Sequence, residues 1–436
     1  MKVCKFGGTS MATAAAINRV KKIILSDKER KFVVVSAPGK RYSQDTKVTD
    51  LLYAAYAEKC EKGSCSNAMS AIRARFVELC EDLGIKADIN KYLDEVEKGI
   101  NESTTADYAA SRGEYLSAVV VSEVLGFEMV DAADVIKFKH DGTFDAELTN
   151  DLVSRYADSD KGIVFPGFYG RMPDKSIKTF TRGGSDFTGA IIARGVGADV
   201  YENWTDVNGF MVTDPRLVDS PRGIEVLSYE ELRELSYMGA SVLHPDSIFP
   251  VQIDGIPINI RNTFDPDQPG TMILPSTEGY DTPCITGIAG RKGNTTISLK
   301  KAMMNGEIGF CRKVLSVLER HGLSVEHIPT GIDTMSIVLS DFQSKGIPEK
   351  KIIDDIRGAV NPDYIEISHS LALIAIVGHG MANTLGTAAK IFTALYNAGV
   401  NIRLIDQGSS ELNIIVGVEE KDYALSIAAI YNAFFG

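Results

Sequence analysis

Two short stretches of the chain place a cation beside paired glycines. In Lys5-Phe6-Gly7-Gly8-Thr9-Ser10 an apolar strand delivers a lysine to a flexible turn, and the helix-forming run MATAAAINRVKKIIL follows. In Arg182-Gly183-Gly184-Ser185-Asp186 an arginine stands ahead of a small-residue helix. Glycines let backbone N–H groups close on an anion, and a helix N-terminus adds partial positive charge. Lysine acts there as a point charge, whereas arginine grips a carboxylate with two parallel bonds. Taken singly, each stretch also reads as packing, with Thr9 or Ser10 capping one helix and Asp186 the other. Two anion sites, each with its own cation, suit a reaction between two anions better than they suit one cofactor.

Trp204-Thr205-Asp206 and Asp214-Pro215-Arg216 add polar groups in turns after a strand, where ligands of open α/β sheets collect. Turn formation explains the same aspartates. Glu114, in Ser111-Arg112-Gly113-Glu114, reads as a residue at a helix start, where the dipole favours a carboxylate. The six cysteines and six histidines show no CxxC, HExxH or zinc-ligand spacing, so no metal held by protein side chains is expected.

These residues need a scaffold, and the composition allows a large one. At 436 residues, 44% hydrophobic and 24% charged, the chain suits two or three compact domains. A formal net charge of -12 argues against nucleic acid or anionic membrane as partner. Scattered thiols and the lack of a signal peptide or long apolar run fit a cytoplasmic protein. Short β-branched runs at 2–6, 32–36, 127–131, 162–166, 198–203 and 256–261 predict a largely parallel sheet with helices on its faces. Residues 50–125 read as a helical insertion serving as a lid, a dimer contact or a plain helical layer. After a Pro- and Gly-rich stretch beyond residue 262, the chain repeats itself at a shift of 77 residues, matching 309–328 with 386–405. Each copy reads strand, helix, strand, strand, helix, with Gly322 or Gly399 as C-cap of the first helix.

Lys-Phe-Gly-Gly-Thr-Ser, Ser-Ala-Pro-Gly-Lys (36–40), Thr-Asp-Leu-Leu (49–52), Ser-Arg-Gly-Glu, Arg-Gly-Gly-Ser-Asp, Trp-Thr-Asp-Val, Thr-Asp-Pro-Arg and Val-Leu-His-Pro (242–245), in this order, resemble the aspartate kinases of the amino acid kinase superfamily. The repeat resembles paired ACT domains, which are ferredoxin-like βαββαβ modules. The resemblance implies an α/β amino acid kinase domain at 1–282 and ACT domains at 283–367 and 368–436, with strands exchanged between the two.

The activity implied is transfer of the ATP γ-phosphoryl to the β-carboxylate of L-aspartate, with Mg²⁺ carried by ATP. This is the first step toward lysine, threonine and methionine. Alternatives are a kinase for glutamate, N-acetylglutamate or carbamate, or a silent amino-acid sensor. By motif match Lys5 neutralises the transferring phosphoryl, Asp186 orients Lys5 and the other phosphate-binding groups, and Gly7, Gly8 and Ser10 line the phosphates. Arg182 meets a carboxylate of aspartate, Glu114 its ammonium, with Ser185 and Thr49 close by. Thr205, Asp206, Met211 and Arg216 form the nucleotide side. Ser241 stands where many members have a lysine and Met211 where a tyrosine is common, leaving Arg216 or Lys40 to supply the missing charge. A lysine or threonine effector is expected near Met304, Gly309, Phe310, Ser324 and Glu326, with Glu307 or Glu326 as acceptor of a lysine ammonium. A homodimer or homotetramer is expected.

Overall fold

The computed structural model describes residues 1–436 except 182, 241 and 244 and the side chains of 245 and 383. It divides into two compact units. The first comprises 1–210, 223–232 and 241–280, and the second 211–222, 233–240 and 281–436.

An eight-stranded sheet forms the first unit's centre, in the order Glu128–Met129, Ile163–Pro166, Arg30–Val35, Lys2–Phe6, Val200–Thr205, Ile258–Asn262, Thr271–Leu274, Val226–Ser228. All neighbours pair parallel except Thr271–Leu274 with Ile258–Asn262. Every residue of Ile163–Pro166 is buried, as is all of Lys2–Phe6 except Lys2, because helices cover both faces of such a sheet. The chain leaves Lys2–Phe6 toward one side and later returns to its other side. The strand order therefore reverses there, which opens a crevice at its carboxyl end. Gly7 and Gly8 occupy that position.

Residues 50–125 form the helices Val48–Lys62, Ser66–Leu83, Ile89–Glu102 and Ala106–Leu125. In the third, Asp88 caps the N-terminus by accepting from the Asn90 N–H, and Ile89, Leu93, Val96 and Ile100 share the buried face. Their apolar faces join one core with Val33, Val35 and Val164 of the sheet.

In this unit two local expectations are corrected. The helix after Gly8 is capped by Thr13, whose hydroxyl accepts from the Ala16 N–H at 3.2 Å, and Gly8–Met11 forms a separate 3-10 turn. Glu114 lies in the interior of the 20-residue helix Ala106–Leu125, not at a helix start.

In the second unit six antiparallel strands run in the order Val325–His327, Thr334–Leu339, Gly287–Lys300, Tyr364–Val377, Asn413–Glu419, Leu404–Asp406. The two long strands pair with each other along nearly their whole length, joining both copies of the repeat. The repeat's glycines sit one position past the C-cap: His321 and Ala398 are the caps, while Gly322 and Gly399 follow at φ +65° and +71°. A 6→1 bond closes each end, from Leu323 N–H to Leu318 and from Val400 N–H to Leu395. Among the described residues no helix is long and apolar enough to cross a membrane.

Candidate active site

Lys5 is delivered by the central strand to the crevice, 7% exposed and directly opposite Asn203 in the parallel register. Its Nζ lies 2.5 Å from Asp186 Oδ1 and 3.5 Å from Asn203 Oδ1. Asn203 closes the triangle by donating its Nδ2 to the same Asp186 oxygen at 2.9 Å. Asp186 stands in the first turn of the helix Gly184–Gly195, and Tyr201 fixes that turn by donating its hydroxyl to the Asp186 carbonyl at 3.0 Å. A buried ammonium is thus held by one carboxylate and one amide oxygen, with its position set by three elements. Asn203 and Tyr201 were not anticipated. Their signal was a polar run, Tyr-Glu-Asn, inside a strand that the parallel-sheet reading buries on both faces.

The glycine turn is drawn tight beside Lys5. Gly7 N–H donates to the Trp204 carbonyl at 3.0 Å and Ser10 N–H to the Gly7 carbonyl at 3.0 Å, while the N–H groups of Gly8 and Thr9 have no partner among the described residues. The Ser10 hydroxyl is fully buried against Thr263 Oγ1 at 2.8 Å, so it braces the turn and does not line an open cavity. A Cβ on Gly8 would lie 3.0 Å from the Ala37 carbonyl, which is why a residue without a side chain stands there. Asp206 accepts from Thr9 Oγ1 at 3.0 Å, which places it against this turn, and from its neighbour Thr205 Oγ1 at 3.3 Å.

Glu114 is 5% exposed. The backbone of Ala37 hydrogen-bonds its carboxylate, while Oε2 is buried with no partner among the described residues. Burial pushes its carboxyl up to about 8, against the opposing pull of the Ala37 hydrogen bond and the Arg112 charge. A buried acid with an open oxygen is costly unless a cation or donor arrives. Arg112 itself sits among the rings of Tyr108, Tyr115 and Tyr169 at 4.6 to 4.9 Å. Thr49 is half-buried in the first turn of Val48–Lys62, and half-buried Ser185 packs against Gly167.

Arg182 and Ser241 lie outside the described residues. Met211 and Arg216 belong to the second unit. There Arg216 is exposed and paired with Asp214 at 2.6 Å. Of the effector candidates, Met304 and Phe310 are buried in the apolar core, Gly309 is the N-cap of Phe310–Arg320 at φ +82°, and Ser324 is exposed. Glu326 is held by Arg291, by the Tyr237 hydroxyl and by Ser340 Oγ at 2.5 Å. Burial opposes its charge, but these partners hold its carboxyl below the usual range. Glu307 accepts from Lys301 at 2.5 Å and Lys313 at 2.8 Å. Both acids proposed for an effector ammonium are therefore already partnered within the chain. No cluster of three or more metal-ligating side chains occurs among the described residues.

Residues 1–262 match the amino acid kinase family and residues 374–434 an ACT domain. Aspartokinase 3 of Bacillus subtilis is 38% identical over 100% of this chain and 99% of its own. The crystal structure of Clostridium acetobutylicum aspartate kinase, described as allosteric, is 50% identical with a TM-score of 0.95 over 100% of both chains. Escherichia coli aspartokinase III, also covered at 100% of both chains, was solved with aspartate and ADP (25% identity, TM-score 0.76) and with lysine and aspartate (27%, 0.77). With a lysine, a carboxylate and a glycine turn gathered at the crevice of such a fold, the chain belongs to the aspartate kinases, phosphotransferases of the amino acid kinase family that carry ACT domains.

Proposed function

We propose that the protein transfers the γ-phosphoryl of ATP to the β-carboxylate of L-aspartate, giving 4-phospho-L-aspartate. The observation that carries this reading is the placement of Lys5, held by Asp186 and Asn203 beside the open N–H groups of Gly8 and Thr9. The attacking carboxylate is already ionised at neutral pH and needs no general base. What it needs is relief from the negative charge of the phosphates. Lys5 supplies a positive charge to the transferring group, and the N–H groups of Gly8 and Thr9 are free to receive phosphate oxygens. Asp186 and Asn203 keep the Lys5 ammonium aimed, so little reorganisation is required as charge moves. Glu114 takes the α-ammonium of aspartate on its open oxygen, and Arg182 takes a carboxylate by motif match. Mg²⁺ would arrive on the ATP phosphates, with Asp206 the acid beside the turn. When bound, that ion neutralises phosphate charge.

The ACT repeat serves feedback inhibition by lysine, threonine or both, and the boundaries near residues 282 and 367 separate the kinase from two sensor domains that pair across a homodimer or homotetramer. Lysine in the Escherichia coli structure supports the first of these effectors. ADP release with aspartate, glutamate, N-acetylglutamate and carbamate, repeated with lysine and threonine, tests the reading. Aspartate is expected to be the preferred acceptor, and Lys5→Ala to lose on the order of a thousandfold in kcat with its circular dichroism unchanged. Turnover in Lys5→Ala within tenfold of the parent would overturn the assignment.

A further inference from the structure

The geometry points to Arg75, in the helical insertion, as a positioning residue that locks the phosphate turn and the ammonium-binding acid into one frame. This rests on the reading above, in which Gly8 and Glu114 serve the two substrates.

Arg75 projects from the helix Ser66–Leu83 and is 7% exposed. Its Nη1 donates to the Thr46 carbonyl at 2.7 Å, its Nη2 donates to the Gly39 carbonyl, and Asp45 Oδ2 lies 3.3 Å away. Asp45 also accepts from the Arg41 N–H at 2.9 Å and from its Nε at 3.0 Å, and Arg41 reaches Glu78 at 3.1 Å. One guanidinium thus fixes both ends of the segment 39–46, whose residues 40–44 are exposed.

The consequence runs through Gly39. Its carbonyl is held by Arg75, and its N–H donates to the Gly8 carbonyl at 2.8 Å. The two backbones touch so closely that a Cβ on Gly39 would lie 2.9 Å from the Gly8 carbonyl carbon. Two residues earlier, the Ala37 backbone hydrogen-bonds Glu114, and a Cβ on Gly113 would come within 2.6 Å of the Ala37 Cβ. Residues 37–39 therefore form a rigid bridge from Glu114 to the glycine turn, and Arg75 is the side chain that stops this bridge from sliding.

A purely structural role explains the residue less well. Methionine would fill the same space without burying a charge, and the exposed loop adds little core. Only a guanidinium presents a planar fork that satisfies two carbonyls at once. Lysine keeps the charge and loses the fork.

In Arg75→Lys, kcat/KM for aspartate is expected to fall on the order of ten- to a hundredfold at a temperature well below unfolding, as a small misplacement of reacting groups does. Hydrogen exchange at the Gly39 amide should quicken about tenfold, with the sheet amides unchanged. Arg75→Met should show the same pair of effects and serves if the lysine variant does not fold. Activity within threefold of the parent, or an unchanged Gly39 amide, overturns the inference. Glu114→Gln run in parallel separates the two failures: if it leaves aspartate kinetics intact the substrate site is misassigned, whereas if it cripples them while Arg75→Lys does not, only Arg75 is.

Discussion

With Glu114 assigned, as proposed, to the ammonium of aspartate, its replacement by glutamine should abolish a pH dependence of aspartate binding. The carboxyl has an ordinary value of 4.5 and is pushed by burial to about 8, and only its ionised form can take an ammonium on the open Oε2. A group titrating there is ionised in about 1% of empty molecules at pH 6, about 9% at pH 7 and about half at pH 8. Because apparent affinity scales with the competent fraction, KM for aspartate should fall about ninefold from pH 6 to 7 and about fivefold from pH 7 to 8, then level off. Glu114→Gln should bind weakly at every pH and show no such slope. The measurement is KM for aspartate by ADP release between pH 6 and 9 at saturating ATP, in both proteins. A flat wild-type profile, or the same slope in the glutamine variant, would refute the reasoning.

Stability offers an independent check with its own sign. Because the folded value is raised, the unfolded chain gives up this proton first. The protonated acid is therefore no burden below about 4.5, and stability declines as pH climbs from there toward 8. Between pH 6 and 8 the empty wild type should lose about 2 kcal/mol relative to Glu114→Gln, read from urea unfolding. Aspartate added at pH 8 should restore stability to the wild type far more than to the variant.

Two further perturbations separate scaffold from site. Glu202, 2% exposed, accepts from Arg30 Nε at 2.9 Å and from Trp204 Nε1 at 2.9 Å, so Glu202→Ala takes from the buried Arg30 guanidinium its close carboxylate and leaves Asp27 Oδ2, 4.0 Å away, as the remaining acid. It should cost about 3–5 kcal/mol in urea unfolding, and a loss under 1 kcal/mol would show the network to be dispensable. Glu307 is already shared by Lys301 and Lys313, so under the proposed inhibition by lysine Glu307→Gln should move the half-inhibiting concentration by less than about fivefold, and a shift beyond tenfold would show that it receives the effector.

The strands and the repeat were legible because their signals are local. β-Branched runs and a 77-residue self-match survive without knowledge of neighbours. Lys5, Gly8 and Asp186 were legible for a related reason, since a cation, glycines and a helix start are each declared by residue type. The groups that complete the triangle were not. Asn203 and Tyr201 lie in a strand whose role is set by its pairing with Lys2–Phe6, almost two hundred positions away in sequence.

Glu114 shows why such errors have a direction. Ser-X-X-Glu with a glycine inside it looks like a helix beginning, because glycine costs about 1 kcal/mol in a helix interior and is read as a boundary. Here the helix runs through it unbroken, since the missing side chain at Gly113 is what lets the Ala37 segment approach. The local penalty is offset by a contact the sequence cannot display. The same approach buries Glu114, gives it the Ala37 backbone as a partner and raises its carboxyl to about 8. The residue that reads as an acid at a helix start, favoured by the dipole, is therefore a buried one in a helix interior, held against its own desolvation, and its ionisation is moved into the range where an ordinary glutamate is already fully charged.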